Sequence, residues 1–230
     1  MPRPLLKICG LRSTEQAAAV AALGVDAIGV IGVPASPRFL AAPQRPPLFE
    51  AMRRARPGCL GVLVVADPGD GQLEELAAPG HAVVQLHGGE SIERCRELRQ
   101  RLGEGVRLWK ALRIRSREDL AAAEGYAAVV DALLLDAWVE GVLGGTGHAI
   151  PRPLLKSFRP AVPWWLAGGI SPESVQGVLE ELNPDGLDAS SGVEAAPGLK
   201  DLARVEALVR QVKGKAAGSE PLHPNDAPLP

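Results

Sequence analysis

An α/β fold in which eight parallel strands close into a single (β/α)8 TIM barrel is what this sequence predicts, on three observations. Short β-rich runs alternate eight times with longer segments of helical spacing, the pattern of βαβ units and a parallel sheet. The runs are nearly continuous in apolar residues, as strands covered on both faces must be. The 230 residues allow roughly 25 to 30 residues per unit, which suits a closed barrel better than an open sheet with a switch point.

The eight strand candidates are, in order, "LLKIC", "AIGVIGV", "CLGVLVVA", "AVVQLH", "VRLWKAL", "ALLLDA", "WWLAG" and "GLDAS". Capping residues announce the helices between them. In "STEQAAAVAALG" Ser13 is placed to cap the first turn and Gly24 to end the helix; in "SPESVQGVLEELN" Ser171 stands as the cap, with Pro172 at the first helical position. Residues 1–214 are therefore read as one barrel domain. Residues 215–230, "KAAGSEPLHPNDAPLP", have no periodicity and are read as a disordered tail.

Composition narrows the function. Hydrophobic residues make up 46 % and charged residues 23 %, ordinary for a folded globular chain. A formal net charge of -2 and eight aromatic residues (four Trp, one Tyr, three Phe) provide neither a basic footprint nor stacking platforms, so no nucleic-acid partner is expected. The longest apolar stretches fall far short of the roughly 18 residues a membrane span requires, and "MPRPLLK" has no secretory character. The expectation is a cytoplasmic protein with no membrane partner. Cys9, Cys59 and Cys95 form no C-x-x-C pair and are expected to be free thiols.

In a barrel, chemistry sits at the C-terminal ends of the strands. That filter selects Lys7 and Cys9, the "SPR" ending at Arg38, Gln85 and His87, Asp136, "GGTG" at 144–147, "AGG" at 167–169 and "DASSG" at 188–192. The last three stretches are rich in glycine and serine, whose backbone N–H groups can approach an anion closely. Gly168, Gly169, Ser190, Ser191 and Gly192 are read as a phosphate cradle, with Gly145, Thr146 and Gly147 closing over it.

Cys9 and Asp136 form a second pair. Lys7, two residues from Cys9, points to the same side of the strand, where its charge would lower the thiol pKa and offer a thiolate base. The apolar run "LLLDA" is a setting in which a carboxylic acid keeps its proton and serves as the matching acid. Each residue also has a blander reading, the cysteine as a small buried hydrophobe and the aspartate as a loop cap. Arg38 at a barrel mouth suits a carboxylate, and His87 lines the pocket or makes a structural hydrogen bond. No metal is expected, because His81, His148 and His223 fall at unrelated places and no two histidines share ligand spacing.

Taken together, "KICGLRS", "SPRFL", "VQLHGGE", "LLLDA" followed by "GGTGH", "LAGGISPESV" and "GLDASSGVEAAPGLKD" resemble, in order, the motifs of the phosphoribosylanthranilate isomerases, from residue 5 to about residue 212. The resemblance implies a cofactor-free Amadori rearrangement in tryptophan biosynthesis. It makes Cys9 the general base, Asp136 the general acid and Arg38 the partner of the anthranilate carboxylate. Lys7, Gln85, His87 and Asp188 join it as substrate-binding residues around a small phosphorylated molecule, in a monomer or homodimer. Val30, where an aromatic is frequent, and "HAIPRPLL" after "GGTG" depart from the family pattern and bear on loop closure. Two rival readings are a metal-dependent sugar-phosphate epimerase, which would need clustered His and Asp ligands, and a barrel that kept its phosphate loops but lost turnover.

Overall fold

The computed structural model describes residues 3–137 and 150–214, and the account below concerns these. Eight strands, β1 (Leu5–Cys9), β2 (Ala27–Ile31), β3 (Leu60–Val65), β4 (Val83–Leu86), β5 (Arg107–Ile114), β6 (Ala132–Ala137), β7 (Trp164–Leu166) and β8 (Gly186–Ala189), pair in parallel in sequence order. β8 pairs back onto β1, which closes the barrel. Eight helices follow in chain order: α1 (Thr14–Ala22), α2 (Arg45–Ala55), α3 (Leu73–Leu76), α4 (Ile92–Leu102), α5 (Arg117–Glu124), α6 (Arg152–Leu155), α7 (Val175–Glu181) and α8 (Leu202–Lys213). A two-stranded antiparallel hairpin, β9 (Glu194–Ala196) with β10 (Leu199–Lys200), stands between β8 and α8.

Ser13 caps α1 by accepting from Gln16 N–H, and Gly24, with φ of +94°, takes the left-handed position just past its end. At Ser171 the regular helix begins later than expected, and Pro172 lies in a turn rather than at the first helical position. The chain from Ser171 to Ser174 forms a turn in which the two serines exchange side-chain and backbone hydrogen bonds, and α7 begins only at Val175. Ser171 makes the bonds of a cap, its Oγ accepting from Ser174 N–H at 3.3 Å and its carbonyl from Val175 N–H at 3.0 Å, one turn ahead of the regular helix. Two helices are single turns, shorter than the spacing suggests: Pro68, Gly69, Pro79 and Gly80 bracket α3, and Pro151 and Pro160 bracket α6.

Strand alternation sorts side chains into two cores. Outward-facing Leu6, Ile8, Leu133, Leu135 and Leu187 pack against the helices. Inward-facing Val62, Val83, Ala132 and Leu134 fill the barrel with Trp109 and Trp165, whose rings lie 4.7 Å apart. The same parity turns Lys7, Cys9, Gln85, Asp136 and Asp188 inward. The first and last parts of the barrel are tied by Asp26, which accepts from Leu6 N–H at 2.8 Å and from Lys213 Nζ at 2.6 Å.

One buried pair shapes the loop after β4. Lys110 Nζ donates to Glu90 Oε2 at 2.7 Å and to the Gly88 carbonyl at 2.9 Å, while Glu90 also accepts from the N–H groups of Asp67 and Gly88. Both side chains of the pair are 1 % exposed. Removing one partner strands a buried charge. We therefore expect Lys110→Met to cost about 3 kcal/mol of stability in urea unfolding followed by tryptophan fluorescence; a loss under about 1 kcal/mol would show that the pair is dispensable.

Candidate active site

A cavity of about 460 Å³ opens at the C-terminal ends of the strands, within the usual range for a small-molecule site. Cys9 and Asp136 both line it, from β1 and β6. So do Gln85, His87 and Asp188 on the polar side, and Ile31, Val33 and Val64 on an apolar side. Gly168, Gly169, Ser190, Ser191 and Gly192 form part of the same wall. Gly145, Thr146 and Gly147, together with His148 and the tail that holds His223, lie outside the described residues.

Lys7 lies one layer below the cavity and is fully buried. Its ammonium donates to Asp188 Oδ2 at 2.8 Å and to Gln85 Oε1 at 2.9 Å. Burial works against its charge, but Asp188 and Cys9 outweigh that and hold its proton more firmly than in a free lysine. The other oxygen of Asp188, Oδ1, is buried and has no hydrogen-bond partner among the described residues. Gln85 Nε2 meets His87 Nδ1 at 3.3 Å, and His87 Nε2 stands 3.5 Å from Asp136 Oδ2, too far for a hydrogen bond.

The expectation that Lys7 makes Cys9 a thiolate is corrected. Burial pushes the Cys9 thiol above the ordinary range, and the lowering by Lys7 and Lys200 does not overcome it, partly because Asp188 opposes them. Lys7 is already paired with Asp188, whose charge offsets part of the lysine's field at the sulfur. Gly29 makes room for this sulfur: a Cβ there would come within 2.5 Å of Cys9 Sγ.

Arg38 lines the cavity, but its guanidinium is already forked onto a carboxylate of the protein itself. Nε donates to Glu194 Oε1 at 2.9 Å and Nη2 to Glu194 Oε2 at 2.7 Å, leaving Nη1 without a partner among the described residues. The bidentate grip on a ligand that the sequence invites is thus taken up internally. Glu194 also accepts from Lys200 Nζ at 2.7 Å and from Gly198 N–H at 3.0 Å; despite its burial, Arg38 and Lys200 hold its carboxyl below the usual range. Lys200 donates onward to the Ser190 carbonyl, and Ser190 Oγ donates to the Cys9 carbonyl at 3.1 Å. Glu194, Lys200 and Gly29 are the site-shaping residues that reading strand ends missed. The only trace of the first two was their place in "GVEAAPGLKD".

Gly168 and Gly169 have φ of +82° and +68°, a left-handed turn that exposes the backbone to the cavity without side chains in the way. Among the described residues, no group of three or more His, Cys, Asp or Glu is gathered to hold a metal ion. None of the described helices is long and apolar enough to cross a membrane.

The three thiols share one electrostatic fate. Burial raises Cys9, and it pushes Cys59 up to about 12 and Cys95 up to about 11. A raised pKa means that the reactive thiolate is scarce at neutral pH and accumulates only as pH climbs past the ordinary thiol value of about 8.5. Alkylation of the folded protein by iodoacetamide, followed by mass spectrometry, should be slow at neutral pH and accelerate in the alkaline range; rapid labelling of Cys9 at neutral pH would contradict this electrostatic account.

The family model for N-(5'-phosphoribosyl)anthranilate isomerase matches residues 6–211. The isomerase of Synechococcus elongatus is 45 % identical over 203 residues, covering 88 % of this chain and 93 % of the relative. That of Thermosynechococcus vestitus is 46 % identical over 211 residues, covering 90 % and 89 %. The crystal structure of the Thermotoga maritima phosphoribosylanthranilate isomerase superposes with a TM-score of 0.81 at 28 % identity, covering 92 % of this chain and 99 % of that one. A structure of a phosphoribosylanthranilate isomerase in complex with reduced 1-(o-carboxyphenylamino)-1-deoxyribulose 5-phosphate superposes at 0.75, also at 28 % identity, covering 92 % and 99 %. The closed parallel barrel, the cavity at its C-terminal mouth and these likenesses lead to one conclusion: the chain belongs to the phosphoribosylanthranilate isomerase family.

Proposed function

We infer that this chain catalyses the isomerisation of N-(5-phosphoribosyl)anthranilate to 1-(2-carboxyphenylamino)-1-deoxyribulose 5-phosphate, an aldose–ketose interconversion in tryptophan biosynthesis. The observation that carries the assignment of roles is that a thiol from β1 and a carboxyl from β6 open into one cavity walled by two glycine-containing loops. Such a pair is what an Amadori rearrangement requires, since one proton must be given to oxygen and another taken from carbon.

In this reading Asp136 gives its proton to the furanose ring oxygen as the C1′–O bond breaks, which leaves a Schiff base with the anthranilate nitrogen. Cys9, as its thiolate, then takes the proton from C2′, and the resulting enolamine tautomerises to the ketone. A raised pKa makes that thiolate scarcer but a stronger base, a trade that suits removal of a carbon-bound proton. The buried Asp188 Oδ1, which lacks a donor in the protein, accepts from a ribose hydroxyl, with Lys7 holding the carboxylate from below. Gln85 and His87 complete that polar wall.

The backbone of Gly168, Gly169, Ser190, Ser191 and Gly192 takes the phosphate, with residues 145–147 as the third loop. The apolar side formed by Ile31, Val33 and Val64 receives the aromatic ring. Arg38 meets the anthranilate carboxylate through Nη1 alone, its other edge being committed to Glu194. The partner is a small phosphorylated molecule in the cytoplasm, and no cofactor takes part. A second copy of the chain is the one protein partner this reading admits; a related Thermotoga maritima structure is of monomers generated from a dimeric isomerase.

Freshly prepared phosphoribosylanthranilate supplies the test, with the loss of anthranilate fluorescence followed over time. Turnover well above spontaneous hydrolysis is expected, and a background rate would reduce the chain to a binding protein. Cys9→Ser and Asp136→Asn should each lower kcat by ~10²–10⁴-fold with an unchanged melting curve. If both kept near-parental kcat, the acid and base would have to be sought elsewhere. Arg38→Ala should raise KM by roughly tenfold or more, as expected for a lost charge-assisted hydrogen bond; an unchanged KM would remove it from carboxylate recognition.

A further inference from the structure

Four polar side chains inside the barrel form one line: Lys7 on β1, Gln85 at the end of β4, His87 just beyond it and Asp136 on β6. The line has a direction, because its first member can only donate. An ammonium has three donors and no acceptor, so the Gln85 atom 2.9 Å from Lys7 Nζ is the amide oxygen. The amide nitrogen must then face the other way, toward His87 Nδ1 at 3.3 Å. That nitrogen is a donor only, so Nδ1 is the acceptor and carries no proton. In the neutral imidazole the single N–H is left on Nε2, the atom that stands 3.5 Å from Asp136 Oδ2.

We propose that Gln85 is a positioning residue which, held by Lys7, fixes His87 as its Nε2–H tautomer and aims that donor at the oxygen from which Asp136 gives up its proton. The other oxygen of Asp136, Oδ1, accepts from the Ala137 N–H at 2.9 Å, so the acidic proton belongs on Oδ2. While Asp136 is protonated there, the ring has no lone pair to offer it. Nε2–H is then a donor without a partner, in keeping with a buried Nε2 that has no hydrogen bond among the described residues. When the Oδ2–H bond breaks and the proton moves to the ring oxygen of the substrate, Oδ2 becomes an anionic acceptor, and Nε2–H closes onto it. The ring therefore stabilises Asp136 only as charge develops, which lowers the barrier rather than the ground state. The opposite tautomer would present a lone pair and draw the acidic proton away from the substrate.

The catalytic half of this inference rests on Asp136 as the acid; the tautomer does not, and the experiment separates the two. Long-range ¹H–¹⁵N NMR on the full ¹⁵N-labelled chain, in mildly alkaline buffer where an ordinary imidazole of pKa ~6.5 is neutral, reads the protonation of each ring nitrogen. His87→Asn identifies the His87 signals among those of the four histidines. The expected pattern is an unprotonated Nδ1 and a protonated Nε2, and a protonated Nδ1 overturns the proposal without touching the reaction. Gln85→Glu keeps the shape but offers His87 only acceptors, so it should move the proton to Nδ1 and lower kcat about tenfold or more with little change in KM. An unmoved proton in that variant overturns the positioning role; a moved proton with kcat intact overturns its catalytic consequence. Should Gln85→Glu fail to fold, the parental spectrum still decides the tautomer. Absence of turnover in the parental chain would strike at the reaction assigned above and leave the spectrum to stand by itself.

Discussion

The ion pair between Lys7 and Asp188 is the constraint on which the rest of the site depends. It bridges β1 and β8, the two strands whose pairing closes the barrel, with Lys7 and Asp188 directly opposite in register. A lysine with no exposed surface is costly unless its charge is matched and its protons are placed, and here Asp188 and Gln85 do both. The pair sits one layer beneath the cavity. Its polar groups thus form a floor that spans the barrel interior from β8 through β1 to β4 and give every group above it a fixed reference. One consequence is that Asp188 offsets part of the Lys7 field at Cys9, and burial governs the thiol.

A second pair of the same design governs the rim. Glu194 lies on the hairpin that follows β8, outside the eight-unit repeat, and it gathers Arg38 and Lys200 at one carboxylate. Lys200 then reaches the Ser190 carbonyl, and Ser190 reaches the carbonyl of Cys9. The loop that bears the arginine, the loop proposed for the phosphate and the strand that bears the cysteine are thereby linked without any contact that depends on a ligand. The cavity is lined by charges that are mostly paired. A small anion entering it meets directed donors rather than a diffuse positive field, in keeping with a chain whose net charge is near zero.

Much of this architecture was legible from local pattern. The eight apolar runs became the eight strands within a few residues at each end, because a strand buried on both faces has few compositional options. The filter of strand ends brought Cys9, Arg38, Gln85, His87, Asp136 and Asp188 to one cavity, since parity and position along a strand suffice to say which side chains look into the mouth. The misjudged details were those set by competition between groups distant in sequence. Lys7 looked like a free charge beside a thiol until Asp188, 181 residues away, claimed it. Arg38 looked like an open fork until Glu194 closed it.

The sequence by itself determined the fold class, the family and the residues that face the cavity, because periodicity, strand parity and motif order are properties of neighbours along the chain. Only the tertiary structure decided the state of those residues: which cation is paired, which carboxylate oxygen lacks a donor, and which edge of the arginine is left. Each of these depends on the balance between desolvation and a partner brought close by barrel closure, and that partner's distance and direction are written nowhere in the local pattern.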